Sequence, residues 1–282
     1  MSIITVKYNV INPKLIPFIK HYWVVRSDIP IFINHKLFPV RSPDVIINIG
    51  EPVIYEISGK VQAANNAYIS APKKTYCNIT QTGILNIWGI TFYPLGLYSF
   101  LKVPISDFSD SIVNLDRLMP DIANKMCELI ATGLDTHKTI EELEKVLLRA
   151  FDFNLTVDKQ FIKIINEFAK EDISSLTDIY KRFGVNERWI QRSFNKYIGI
   201  TPNIFFRLNK LINLLTVFES DPLINLTELS YRFNYFDQSH LIREFKYFCG
   251  NTPKKNRNDE SWVKYLLDNS SNTDDFIALF NK

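Results

Sequence analysis

The segment at residues 175–202 recurs at 225–253, and this internal repeat constrains the chain more than any other feature of its sequence. The offset is 50 residues through Leu176/Leu226, Thr177/Thr227, Arg182/Arg232 and Phe183/Phe233. It becomes 51 through Arg192/Arg243, Phe194/Phe245, Gly199/Gly250, Thr201/Thr252 and Pro202/Pro253. Nine identities in register, with one inserted residue, mark a duplicated supersecondary unit. Each copy reads as a helix, a tight turn and a second helix, so two helix-turn-helix units are expected in tandem.

In copy one, Ser175 is placed to cap a helix, with Asp178 three residues on at near capping-box spacing. Leu176 and Ile179 face inward. Phe183, Gly184 and Val185 form the turn, because glycine tolerates the left-handed backbone of a sharp reversal. Asn186 caps the second helix, whose buried stripe is Ile190 and Phe194, and this turns Arg188, Gln191, Arg192 and Asn195 outward. In copy two Leu241 and Phe245 are the buried pair, which leaves Gln238, Ser239, His240 and Arg243 on the outer surface.

Arg and Gln make bidentate bonds to guanine and adenine edges respectively, so both outer surfaces suit the major groove of double-stranded DNA. One such helix alone reads as an ordinary solvated face; repetition favours recognition. A phosphate contact suits Arg243 as well as a base contact does. Trp189, one position off the reading face, is either a packed anchor or an indole N–H donor to phosphate. His240 has no second His or Cys at ligand spacing, which points to phosphate contact or packing and not to a metal.

Between the copies, residues 202–219 read as one helix of about 18 residues, roughly 27 Å long. Recognition helices entering successive major grooves on one face of B-DNA sit about 34 Å apart, and a rigid helix of this length can hold two units near that separation. Charge follows the same division. Residues 157–258 hold 16 Lys and Arg against 11 Asp and Glu, a net of +5, which leaves −2 on the remainder. A basic module on a slightly acidic partner suits a polyanion at one end of the molecule.

Residues 3–115 favour strands. The runs VIINIG, VIYEI, AYIS and ILNIWGITFY are punctuated by Pro13, Pro17, Pro30, Pro39, Pro43, Pro52, Pro72 and Pro94, a pattern that suggests a sandwich or small barrel. The period turns helical at 118–153, with Ile122, Met126, Leu129 and Ile130 on one face and Ile140, Leu143, Leu147 and Ala150 on another. This helical hairpin is expected to pack either on its own barrel or on a second subunit, as a homodimer surface. A further helix is expected at 158–170, and the tail at 259–282 reads as a short helical extension. The fold class is therefore α+β in two domains, divided as a strand-rich domain at 1–117, a hairpin linker at 118–156 and an all-α tandem unit at 157–258.

With 282 residues, 46% hydrophobic content and 22% charge, the chain has the composition of a well-cored soluble protein. No apolar run approaches the roughly 20 residues of a membrane span, and MSIITVKYNV lacks the succession of a signal peptide, so a cytoplasmic chain is expected. Cys77, Cys127 and Cys249 are scattered and odd in number, and read as reduced, buried residues.

At the repeat residues the chain resembles an AraC/XylS-type transcription regulator. The resemblance covers residues 158–257 and is closest in NLTELSYRFNYFDQSHLIREFKYFCGNTP. It implies two DNA-reading units joined by a long helix, with Arg188, Gln191 and Arg192 on the first recognition helix and Gln238, Ser239 and Arg243 on the second. It further implies an activator that works with RNA polymerase. Asn234 stands where the family's second turn usually has Gly, Tyr180 and Ser230 replace small residues, and Lys210 replaces a frequent Arg. More loosely, HYWVV, FPVRSPDVIINIG and GITFYPLGLYSFLKVPISDF resemble the cupin-like barrel of one AraC subgroup, which implies a domain that binds a small-molecule effector or dimerises. Arg41, Asp44, Trp88 and Tyr93 are candidate ligand-binding residues there, or serve the fold.

An enzyme is the competing class: a metal-dependent cupin, or a DNA-repair alkyltransferase carrying a similar DNA-binding unit. The first needs His-rich strand motifs, whereas His21 and His35 stand alone; the second needs an activated Cys beside a base, which neither Cys77 nor Cys127 has in the sequence. No catalytic residue, metal or cofactor is therefore expected.

Overall fold

The computed structural model describes residues 3–153, 157–168, 175–221 and 224–256; the expected tail at 259–282 lies outside them. Its N-terminal part is an antiparallel sheet of eight strands: β1 (Ile3–Tyr8), β2 (Ile19–Ser27), β3 (Ile31–Leu37), β4 (Asp44–Ile57), β5 (Lys60–Ser70), β6 (Cys77–Gly83), β7 (Asn86–Phe92) and β8 (Ile112–Asn114). The main path runs β1-β2-β7-β4-β5-β8. At β4 it forks, because residues 44–48 pair with β7 while residues 54–56 pair with β6, which carries β3.

The fork has a local cause. Pro52 offers no backbone N–H, and a Cβ on Gly50 would stand 2.6 Å from the Ile84 carbonyl oxygen. The Asn48 side chain stitches the break, accepting from the Gly50 N–H at 3.0 Å and donating to the Glu51 carbonyl at 2.7 Å. Among the described residues the strand pairings form one forked path, with β6 and β3 branching from β4. Strand alternation divides the core accordingly. Val45, Ile47, Trp88 and Ile90 face the cluster shared with the helices, and Ile46, Tyr68 and Ile87 face a second cluster inside the fork.

After β7 come the short helix α1 (Gly96–Leu101), a 3-10 turn at Ile105–Phe108, and the hairpin of α2 (Pro120–Ala131) and α3 (Thr136–Ala150). Asp135 caps α3 by accepting from the His137 and Lys138 N–H groups. The stripe Ile140, Leu143, Leu147 and Ala150 is only 0–5% exposed, packed within the chain's own core. That corrects the expectation of a homodimer surface built from this stripe: its apolar groups are already covered intramolecularly. Buried Glu144 on the same helix accepts from the N–H groups of Ile11 and Asn12, both at 2.7 Å, and from the Tyr22 hydroxyl at 3.2 Å. The hairpin thereby holds the segment between β1 and β2.

The C-terminal part is helical: α4 (Lys159–Glu167), α5 (Leu176–Phe183), α6 (Glu187–Tyr197), α7 (Pro202–Ser220), α8 (Leu226–Arg232), α9 (Gln238–Cys249) and α10 (Pro253–Asn256). Here α4 ends earlier than expected, at Glu167 with Phe168 as its C-cap. The repeat runs further upstream than its strongest identities. At the offset of 50, Phe161, Ile164, Ile165 and Phe168 on α4 match Leu211, Leu214, Leu215 and Phe218 on α7, and all eight are buried. Each copy is thus three helices, α4-α5-α6 and α7-α8-α9. Helix α7 buries Phe205, Leu208, Leu211, Ile212, Leu214, Leu215 and Phe218, too many for one narrow stripe, because it packs against both copies.

Candidate nucleic-acid interface

Capping fixes the second helix of each copy in the same way. Asn186 accepts from the Trp189 N–H at 2.8 Å, and Asp237, its match at offset 51, accepts from the His240 N–H at 2.6 Å. First helices are capped by Ser175 and Asn225, which accept from the N–H groups of Asp178 and Glu228. Asp178 bonds the Ser175 hydroxyl at 2.7 Å. The turns carry left-handed residues at matched positions, Gly184 (φ 60°) and Asn234 (φ 51°); Asn adopts that region more readily than most residues, so the turn is kept without glycine. The offset is 50 at Gly184/Asn234 and 51 at Asn186/Asp237. Pairing Val185 with Tyr235, whose N–H groups bond the carbonyls of Tyr180 and Ser230, leaves Phe236 as the inserted residue.

On α6, Arg188, Gln191, Arg192 and Asn195 are exposed and share the face opposite the buried Ile190 and Phe194. Gln191 donates to the Glu187 carboxylate at 3.1 Å along its own helix. Trp189 is half-buried, its ring edge-on to Phe161 at 6.3 Å. On α9, Gln238, Ser239 and Arg243 are exposed, and the Gln238 side-chain oxygen accepts from Thr227 at 3.0 Å. His240 is half-buried: its Nδ1 accepts from the Phe236 N–H at 3.4 Å and its ring meets Tyr235 edge-on at 5.3 Å.

The faces are held from behind. Arg207 on α7 forms a two-pronged bond with Glu244 on α9, at 2.8 and 2.7 Å, and lies over the rings of Tyr247 and Phe248. Lys210 donates to the Asn234 carbonyl at 2.6 Å and lies 3.9 Å from the Tyr235 ring centre; burial pulls its ammonium down to about 8. The match of Lys210 at offset 50 is Gln160, whose side chain donates to the Phe183 carbonyl at 2.9 Å. Each turn is therefore tied by the helix that precedes it, by a neutral amide in copy one and an amine in copy two.

The ends of both outward helices rest on the N-terminal part. Gly199, after α6, has φ 92°; a Cβ there would stand 2.7 Å from the Ile105 side chain, and the Ser109 hydroxyl donates to its carbonyl. Gly250, after α9, has φ 71°; a Cβ there would stand 2.7 Å from the Tyr76 ring, and Lys36 donates to its carbonyl at 3.4 Å and to Asn251 at 3.1 Å. Between them Arg41 donates to Asn209 on α7 at 2.8 Å. No local pattern in the sequence marks Lys36, Tyr76, Ser109, Asn209 or Phe236. Only the identical Gly199 and Gly250 hinted that these two positions were constrained.

The four ligand-binding candidates stand in different surroundings. Arg41 is the tie to α7 just described. Asp44 is buried, accepts from Thr91 at 2.6 Å and Trp23 at 3.3 Å, and is pushed up to about 6 by burial. Trp88 donates to Asn86 at 3.0 Å under Arg26, and Tyr93 is buried. A small recess is lined by Phe38, Ser42, Asp44, Ser70 and Lys73 among others, and Asp44 alone of the four lines it. Burial also pushes the Cys77 and Cys249 thiols up, away from nucleophile chemistry.

A family model described as a domain of unknown function (DUF6597) matches residues 12–114. No curated protein matches the chain. Among solved structures, ToxT from Vibrio cholerae is similar at 10% identity and a TM-score of 0.43, covering 85% of this chain and 98% of that one. An unsaturated fatty acid-bound ToxT gives 9% and 0.41, covering 86% and 96%. The AraC-like transcriptional activator CuxR gives 10% and 0.28, covering 75% and 94%. Among the described residues no helix is long and apolar enough to cross a membrane.

Proposed function

We propose that this chain is a sequence-specific DNA-binding transcription regulator, in which residues 157–258 read DNA and the N-terminal sheet and hairpin govern how the two reading helices are presented. One observation carries the reading. Two copies of a three-helix unit, capped alike, turn Arg192 and Arg243 outward at matched positions, each with a Gln on the same helix. Guanidinium and amide groups on the exposed face of a capped helix are the chemistry that major-groove base edges accept. The long α7, tied to copy two through Arg207 and packed on copy one through Phe205, gives the pair a fixed separation. Contacts at Gly199, Asn209 and Gly250 give the N-terminal part a hold on both copies and on the helix between them.

The test is selection from random duplex DNA by the intact chain and by residues 157–258. The expected result is a selected motif with two separated blocks and an affinity that falls steeply with salt, as counterion release requires. A folded chain that selects nothing over bulk DNA at moderate salt overturns the reading.

A further inference from the structure

We propose that Phe236, the one residue by which copy two exceeds copy one, is a base-reading residue that contacts the C5-methyl group of a thymine; this rests on the DNA-binding reading above. Phe236 is 88% exposed, more than any other large hydrophobic side chain among the described residues. An aromatic ring held in water contributes nothing to the fold. Its backbone is nonetheless held: the Phe236 N–H bonds His240 Nδ1, the preceding Tyr235 is buried beside Lys210, and the following Asp237 caps α9. The fold fixes where this ring starts and leaves the ring itself free.

That place is the entry to α9, one residue before its cap Asp237 and two before the exposed Gln238. Residues at the N-terminal end of a recognition helix are those that reach base edges in the major groove. Only one major-groove feature there is apolar, the thymine methyl, and phenylalanine is among the side chains that meet it. Copy one has no counterpart, since Val185 is followed at once by the cap Asn186. The two copies therefore present different chemistry to their base pairs: copy one polar and cationic groups, copy two the same classes plus one apolar ring. A thymine preference is expected in one block of the selected motif and not at the equivalent place in the other.

The experiment uses the intact chain and its selected duplex, with each thymine replaced singly by uracil, which removes the methyl and leaves every hydrogen-bonding group. At one position in one block the native chain is expected to lose about fourfold in affinity, the factor that burial of a single methyl-sized group supports. Phe236→Ala is expected to bind the thymine duplex about as weakly as the native chain binds the uracil one, and to be indifferent to the replacement there; Phe236→Leu restores part of the difference. Because the ring is 88% exposed, circular dichroism of both variants should match the native chain. Native binding that is insensitive to every uracil, or a Phe236→Ala variant that stays as sensitive as the native chain, overturns the proposal while leaving DNA recognition standing. Failure to bind any duplex overturns the recognition reading itself.

Discussion

Copy one and copy two finish alike and begin differently. A left-handed glycine follows both second helices, Gly250 as the cap of α9 and Gly199 just past Ile198, the cap of α6; each glycine's carbonyl is bonded from the N-terminal part, by Lys36 in one case and Ser109 in the other. At the other end, copy one turns on Gly184 under the neutral Gln160, whereas copy two turns on Asn234 under Lys210 and carries the additional Phe236. The shared finish sets how the two helices are held relative to the rest of the molecule. The different starts set what each offers to a groove.

The largest expected effect tests whether the copies are equally supported. Phe194 and Phe245 are repeat partners and both are fully buried, Phe194 edge-on to Phe161 at 5.2 Å and Phe245 edge-on to Phe218 at 6.1 Å. Either change to Ala should destabilise by about 3–5 kcal/mol, and the two losses should be similar. Urea unfolding of the two variants checks this, and clearly unequal losses would show that the copies are not equally supported.

Next come the shared ends. Gly199→Ala and Gly250→Ala each place a Cβ in a left-handed residue and against a neighbour at 2.7 Å, and should cost on the order of 1–3 kcal/mol. Adding Tyr76→Ala should recover part of the loss in Gly250→Ala and none in Gly199→Ala, as thermal melts would show. Recovery in both would mean that the two glycines do not rest on separate supports. Smaller again are the caps: Asn186→Ala and Asp237→Ala should each lose about 1 kcal/mol and resemble one another, since both accept one N–H three residues on.

Much of this comparison was legible in the sequence. Ser175, Asn186, Gly184 and the Ile190/Phe194 stripe are local signals, written within one or two helical turns, and the outward placement of Arg188, Gln191, Arg192, Asn195, Gln238, Ser239 and Arg243 follows from them. The upstream extension of the repeat was scarcely legible, because only Ile162/Ile212 and Phe168/Phe218 are identical while Phe161/Leu211 and Ile164/Leu214 preserve burial without identity. Nor was the covering of the Leu143/Leu147 stripe, since an apolar helix face looks the same whether its partner is its own sheet or another chain. The contacts Lys36 to Gly250 and Ser109 to Gly199 join residues 214 and 90 positions apart, and no short-range pattern encodes them.

The smallest effect concerns the tie at each turn. Lys210 is brought down to about 8 by burial, from an ordinary 10.5, while Gln160 in copy one does not titrate. Between those two values the unfolded chain binds the Lys210 proton and the folded chain gives it up, so stability rises with pH across that window and is at its least below it. Lys210→Gln gives copy two the residue of copy one, keeps an N–H donor for the Asn234 carbonyl and removes the titration. Other groups that ionise in the same window are common to both proteins and cancel in their difference. Denaturant melts from pH 7.5 to 10 should therefore show the native chain gaining on Lys210→Gln as pH rises through 8 and beyond. Parallel curves would mean that the amine keeps its ordinary affinity for a proton, and that the turn of copy two is tied by a charged ammonium throughout this range.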